Sequence, residues 1–241
     1  MNISEFLNAG TPEERNQYVL TPIETAPQMA LYYSLNPIAK IDPSTLNPDA
    51  TAVLHFPETT AIAAVWSGQD GRKIESVFRL ENDEWKLDWK HFAQYSAYPW
   101  PLFLAGSGPA EGEFRLLARE RLAVELRSNE TISIVLYAPH FGNPETTGYQ
   151  SPEFVIPRKN EDGKLLETAF KLEKIGKQPF NPDLPNLAPE EMIRVRVNVR
   201  RYETDSERKF EITKVIACHW YSIDAPGMDT AIPVPEKTQA R

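Results

Sequence analysis

Four histidines, one cysteine and a row of arginines are the side chains from which catalysis, metal binding or anion recognition would have to be built. His55, His91, His140 and His219 fall in no His-x3-His or His-Glu-x-x-His spacing, so a local metal motif is absent and no metal is expected. His55 and His219 lie in expected strands, His91 opens an expected helix and His140 sits in a loop; packing or capping roles are expected for each. Asp88 lies among Trp85, Leu87 and Trp89, three residues before His91. A carboxylate among aromatics is a candidate acid or base, because burial raises its pKa. The simpler expectation is that Asp88 caps a helix over 90–98 by accepting backbone N–H bonds. Cys218 stands beside His219 in an expected strand, where adjacent side chains point to opposite faces, so the two cannot pair and a buried, inert thiol is expected. No Gly-x-Ser-x-Gly elbow, Walker loop or Gly-x-Gly-x-x-Gly run is present. Ala105-Gly106-Ser107-Gly108-Pro109 has neither a strand feeding it nor a lysine to meet a phosphate, and is expected to be a turn.

The arginine row is the least ordinary feature. Arg194, Arg196 and Arg200 share one side of an alternating strand, with Arg201 and Arg208 close by. Either the row is an outer face neutralised by Glu203, Glu207 and Glu211 of the next strand, or it meets an anionic ligand, a phospholipid head group or an acidic partner. Two aromatic clusters, Tyr32-Tyr33 and Tyr95, Tyr98, Trp100 and Phe103, are ordinary core material. In a cone-shaped fold the same residues would line the cavity between helices and sheet. The candidate ligand-binding set is therefore Tyr32, Tyr33, Asp88, His91, Tyr95, Arg194, Arg196 and Arg200, with no catalytic residue assigned.

The chain that must position them has 241 residues, of which 41% are apolar, and a net charge of −8. That apolar content exceeds what a disordered chain carries, and no apolar run approaches the ~20 residues of a membrane-spanning helix. A lone cysteine excludes an intrachain disulfide and a cysteine-rich zinc site. The acidic balance argues against nucleic acid as a partner. It is also uneven: residues 1–120 carry 9 basic and 16 acidic side chains, whereas 121–241 carry 17 and 18, so the second half is nearly neutral. With 21 prolines against 11 glycines, loops are expected to be stiff and element ends sharply marked. The opening residues lack the features of a signal peptide, so the expected location is cytoplasmic unless a leader or anchor precedes them.

Thr11-Pro12-Glu13-Glu14 and Thr21-Pro22-Ile23-Glu24 both read as helix starts, the first as a capping box. Pro27 predicts a kink or restart in the second helix, whose apolar stripe would be Met29, Tyr32, Tyr33 and Ile23. Short β-type runs follow at 51–56, 60–66, 74–80 and 85–89, with a hairpin turn at Gln69-Asp70-Gly71. A helix over 90–98 is expected to be ended or kinked by Pro99 and Pro101. Strands are then expected at 113–126 (with a helix as competitor), 131–138 and 153–157, a polar loop at 139–152, and a short helix at 164–173. Paired strands at 192–202 and 209–221 precede a loose tail over 226–241. Helices first and sequential strands afterwards predict an α+β fold: one domain over 1–225, with short N-terminal helices on a curved, mainly antiparallel sheet that the C-terminal strands extend. Residues 139–152 mark the alternative place for a subdivision.

Phe6-Leu7-Asn8-Ala9, Thr11-Pro12-Glu13-Glu14-Arg15, Tyr18-Val19, Tyr32-Tyr33 and Leu87-Asp88-Trp89-Lys90-His91-Phe92 resemble markers of a group of uncharacterised bacterial NTF2-like proteins, as does Cys218-His219-Trp220 near the end. The resemblance implies a cone of helices on a curved sheet. Members carry a transmembrane segment just before the Phe-Leu-x-Ala element, so it also implies attachment through an anchor outside these residues. It transfers no catalytic residue and no cofactor. The expected function is a non-catalytic binding or interaction module for a protein or small molecule. The alternative is a cavity enzyme of the hydratase or isomerase type, recognisable by two of Asp88, His91, His55, His219 and Glu113 meeting in a deep pocket.

Overall fold

Thr11 caps the first marked helix as its spacing requires: the Thr11 hydroxyl accepts from the Glu14 N–H while the Glu14 carboxylate accepts from the Thr11 N–H, closing a capping box. The computed structural model describes residues 3–38, 40–121, 130–180, 183–204 and 207–227. Three helices open it: α1 (Ile3–Asn8), α2 (Pro12–Asn16) and α3 (Pro22–Leu35). The restart expected at Pro27 is absent, and α3 runs through it as one helix. A proline removes a single backbone donor, and Met29, Tyr32 and Tyr33 hold the following turns against the core. Ile23 leaves the stripe and is 90% exposed.

Among the described residues the strands form two antiparallel sheets. The first is a meander, β1 (Asn47–His55), β2 (Thr60–Ser67), β3 (Lys73–Glu81) and β4 (Glu84–Leu87), in sequence order. Asn82 and Asp83 both take positive φ (52° and 63°), the type I′ geometry whose twist suits a two-residue hairpin. β4 stops at Leu87, so Trp89 does not continue it. Asp88 instead caps α4 (Trp89–Phe92), which is far shorter than the helix expected over 90–98. Gln94, at φ 51°, turns the chain away after it. Pro99 and Pro101 then begin a helix, α5 (Trp100–Leu104), because proline at the first positions loses only a donor that is orphaned anyway.

The second sheet has the order β7-β6-β5-β8-β9, built from β5 (Glu111–Glu120), β6 (Thr131–Pro139), β7 (Thr147–Pro157), β8 (Met192–Glu203) and β9 (Arg208–Ala217). The competition between strand and helix after Glu113 resolves as strand for the described part; 122–129 and the tail from 228 lie outside the described residues. β7 takes half of the loop expected over 139–152, since its residues pair with β6 through two register breaks. Breaks between Arg196 and Val197 and between Asn198 and Val199 interrupt the β8–β9 ladder as well. Bulges of this kind add twist and bend, and the sheet curls until β7 and β9 touch.

α6 (Glu161–Glu173) lies against the open side of that half-barrel, and with α5 it seals a core of Leu166, Phe170, Trp100, Phe103, Phe114 and the valines of β8. A Cβ on Gly163 would lie 2.1 Å from the Pro157 carbonyl oxygen, so only glycine lets α6 start this close to β7. The first three helices pack on the other sheet, where Phe6, Val19, Met29, Phe78, Leu87 and Trp89 form a second core. The fold is therefore α+β, with the C-terminal strands extending the curled sheet. β9 ends at Ala217. The expected strand over 218–221 is instead a segment threaded between the two sheets, with Trp220 and Tyr221 buried.

Candidate functional site

Charged residues from β3, β5, β8 and the start of α4 meet where the sheets face each other. Arg194 of β8 grips Glu75 of β3 with two parallel bonds of 2.6 Å, the bidentate geometry that a planar guanidinium offers a carboxylate. Trp220 lies under the Arg194 guanidinium, 4.6 Å from the ring centre. Arg115 and Arg196 sit directly opposite each other on β5 and β8, where like charges repel. Glu113 bridges them through one oxygen, 3.3 Å from Arg115 Nη1 and 3.1 Å from Arg196 Nε. Backbone carbonyls complete their shells: Trp220 and Tyr95 accept from Arg115, while Tyr221 and Ile223 accept from Arg196. Asp88 adds a third tie, since its carboxylate accepts from the Ser222 N–H (2.7 Å), the Ser222 hydroxyl (2.6 Å) and the His91 N–H (3.1 Å).

The electrostatics of this layer follow from its pairing. Burial alone would raise the Asp88 carboxyl, but the His91 and Arg115 charges and the Ser222 hydrogen bonds outweigh it and hold the pKa below the usual range. Burial acts the same way on Glu75, and Arg194 and His91 more than reverse it. Glu113 stays low because Arg196 and Arg115 overcome its desolvation. Burial, reinforced by Arg196, brings Arg115 down to about 10. His219 is neutral for a visible reason: burial pushes its pKa down to about 3, Nδ1 accepts from the Tyr221 N–H (3.1 Å), and Nε2 donates to the Ala225 carbonyl (2.6 Å). Burial raises the Cys218 thiol, which leaves it protonated. Each carboxylate of the layer is an ionised acceptor already engaged by donors, with no proton to give and little tendency to take one.

The acid–base pair that an enzyme would need does not reach a usable cavity. The His91 ring stacks on Tyr221 and places Nε2 3.6 Å from Glu75. The hollow beside His91, bounded also by Arg194, His219 and Trp220, has a volume of only about 50 Å³, and Glu75 lies outside its lining. Asp88 receives the backbone N–H of His91 rather than the ring. His55 is exposed at the end of β1.

A much larger cleft lies elsewhere. It has a volume of about 430 Å³ and runs between the end of α3, the connector from α4 to α5 and the β6–β7 loop. Tyr32, Tyr95, Tyr98, Trp100 and Phe141 supply its aromatic walls, and its lining contains no Asp, Glu, Lys or Arg. Tyr32 donates its hydroxyl to the Ala93 carbonyl (3.1 Å), and burial, reinforced by Tyr33, raises its pKa to about 12, so this wall stays uncharged. Tyr98 is tied to Ser107 at 3.1 Å, and His140, the histidine of the lining, pairs with Thr146 at 2.9 Å. A second hollow of about 290 Å³ adjoins it, sharing Tyr32, Asn36, Ala93 and Phe141 and adding Tyr33 and Arg15.

The candidate set thus divides. Tyr32, Tyr33 and Tyr95 come together at the cleft and its neighbour. Asp88, His91, Arg194 and Arg196 enter the inter-sheet layer, and Arg200 stands apart on the surface, bonded to Glu111 at 3.0 Å. Arg194 and Arg196 therefore do not form a solvated face, and the acids that meet the row are Glu75, Glu113 and Glu111. Glu203 and Glu207 hold Arg208 and Lys209 instead. Glu75, Arg115 and Ser222 escaped sequence reasoning. The one available signal was Arg115 set between Phe114 and Leu116, a charge inside an apolar run. Among the described residues no cluster of His, Cys, Asp and Glu could hold a metal ion, and no helix is long and apolar enough to cross a membrane. No protein-family model matches the chain, and no curated protein or solved structure matches it at a significant level.

Proposed function

We propose that this protein is a non-catalytic binding module whose aromatic cleft takes a small, uncharged, largely apolar ligand. One observation carries the reading: in a chain with 60 charged side chains, a cleft of about 430 Å³ is walled largely by aromatic rings and prolines, with no Asp, Glu, Lys or Arg in its lining. That volume falls in the range of small-molecule sites, and burying an unpaired charge there would cost far more than burying a ring. The acid–base alternative is disfavoured because the Glu75–His91 pair is engaged by Arg194 and borders no cavity large enough for a substrate. The curled antiparallel sheet with α5 and α6 on its open side supports a relation to the NTF2-like proteins that the marker residues resemble, and that relation is part of the proposal.

Titration with N-phenyl-1-naphthylamine, a neutral apolar fluorophore, tests the cleft. At ~0.3 kcal/mol per heavy atom a ligand of its size binds with a dissociation constant on the order of 0.1 mM. Saturable emission at one site per chain is expected, weakened about tenfold or more by Leu35→Arg, which places a charge at the partly exposed rim without touching the core. Non-saturable emission, or a titration that Leu35→Arg leaves unchanged, would reject the reading.

A further inference from the structure

The four sheet edges among the described residues are not treated alike. β4 is covered by Tyr18–Leu20, with the Leu87 N–H donating to the Tyr18 carbonyl (2.8 Å) and the Leu20 N–H to the Leu87 carbonyl (3.0 Å). β7 carries Pro152, Glu153 and two register breaks. β9 carries Arg208, Lys209, Glu211 and Lys214, and the Val215 N–H is already bonded to Asp162. Those are the devices by which proteins keep an edge from pairing with another chain. β1 has them only at its start, where Pro48, Asp49 and a register break lie. From residue 50 to 55 it reads Ala-Thr-Ala-Val-Leu-His, with no Pro, Lys, Arg, Asp or Glu and an unbroken ladder.

The turn into β2 decides which groups that edge presents. The Phe56 N–H bonds the Thr59 carbonyl at 2.9 Å, so Phe56, and by alternation Leu54 and Ala52, direct their main-chain groups at β2. Thr51, Val53 and His55 therefore direct theirs outward, where no described residue bonds them. The three side chains are exposed as well, Val53 to 55%.

We propose that β1 pairs antiparallel with β1 of a second copy of this chain about a two-fold axis at Val53. Val53 then faces Val53 of the other copy, and Thr51 faces His55. Each of the three positions is a hydrogen-bonded pair, which makes six main-chain bonds in all. A two-fold contact must be self-complementary, and this one is, because its outward donors and acceptors are spaced symmetrically about Val53 and no charge meets a like charge. Asp49, the nearest acid on the strand, is neutralised within its own sheet by Lys73. The product is a continuous eight-stranded sheet across two copies, a site independent of the aromatic cleft.

Sedimentation velocity from about 10 µM to about 500 µM tests the proposal. The weight-average mass is expected to climb from that of the 27.4 kDa chain towards twice that value. Val53→Lys, which guards the edge while breaking no intrachain bond, and Val53→Pro, which removes the central outward N–H, should each hold the protein monomeric across the range. Amide exchange at Thr51, Val53 and His55 should slow with concentration in the unmodified chain only. A monomer at every concentration, or a dimer that survives Val53→Lys, would overturn it.

Discussion

His219 is held neutral by its surroundings, with burial opposing the charge and both ring nitrogens assigned fixed roles by Tyr221 and Ala225. Its pKa falls from about 6.5 in an unfolded chain to about 3 in the fold. Above the unfolded value neither state binds the proton and His219 contributes no pH dependence. As pH falls below that value the unfolded chain takes up a proton that the native one refuses, so stability drops. Between pH 7.5 and 5 the loss should amount to about 2 kcal/mol, in a window above the acid range where Asp88 and Glu75 begin to matter. Urea midpoints across that window should show the loss, and His219→Gln should flatten the slope even though it lowers the midpoint at neutral pH. Trp89 is 1% exposed, with three tyrosine rings around it and its indole N–H given to the Tyr33 hydroxyl. Trp89→Ala should cost about 3–5 kcal/mol, as for other buried large aromatics. An unchanged urea midpoint would contradict this packing.

At the scale of elements, the bond between β3 and β8 is what registers one sheet against the other. Glu75 and Arg194 retain side-chain exposures of 19% and 17%, so their attraction is partly screened but their desolvation is also incomplete. Glu75→Gln leaves Arg194 without its counter-charge in a half-buried site, and should lower stability by about 2–3 kcal/mol. A double Glu75→Leu, Arg194→Met replacement should recover most of that loss, because paired apolar groups of similar volume avoid the unpaired charge. Chemical denaturation of the single and double variants measures both steps. A neutral Glu75→Gln would show that the apolar contacts around Tyr221, Val77 and Leu54 and the Asp88–Ser222 bonds suffice to hold the sheets together.

For the whole molecule, the surface field is that of an acidic protein whose most conspicuous cations are turned inward. Arg115 and Arg196 are 1% and 6% exposed, and Arg200 is matched by Glu111. With a net charge of −8 and a screening length near ~8 Å at physiological salt, no retention on heparin or on anionic vesicles is expected at ~0.15 M. Retention abolished by Arg200→Glu, an exposed position, would show that the surface carries an anion site after all.

Much of the local architecture was legible because its causes are local. The Thr11 capping box, the hairpins of the first sheet, Asp88 as a cap and the alternation of β8 each depend on residues within a few positions of one another. The restart expected at Pro27 and the helix end expected at Pro101 did not occur, because whether a missing N–H matters depends on how far into a helix it falls and on what packs beside it. β7 was hidden since its pairing is decided by β6 through bulges, which leave no clean alternation. The arginine row was legible as a pattern but not as a location. Alternation places Arg194 and Arg196 on one face, whereas only the stacking of two sheets decides whether that face meets water or Glu75. Sequence alone determined an acidic α+β chain with sharply punctuated elements and no local catalytic motif. Tertiary structure decided which charges are buried together and which aromatics border one cleft, because both depend on contacts between residues more than fifty positions apart.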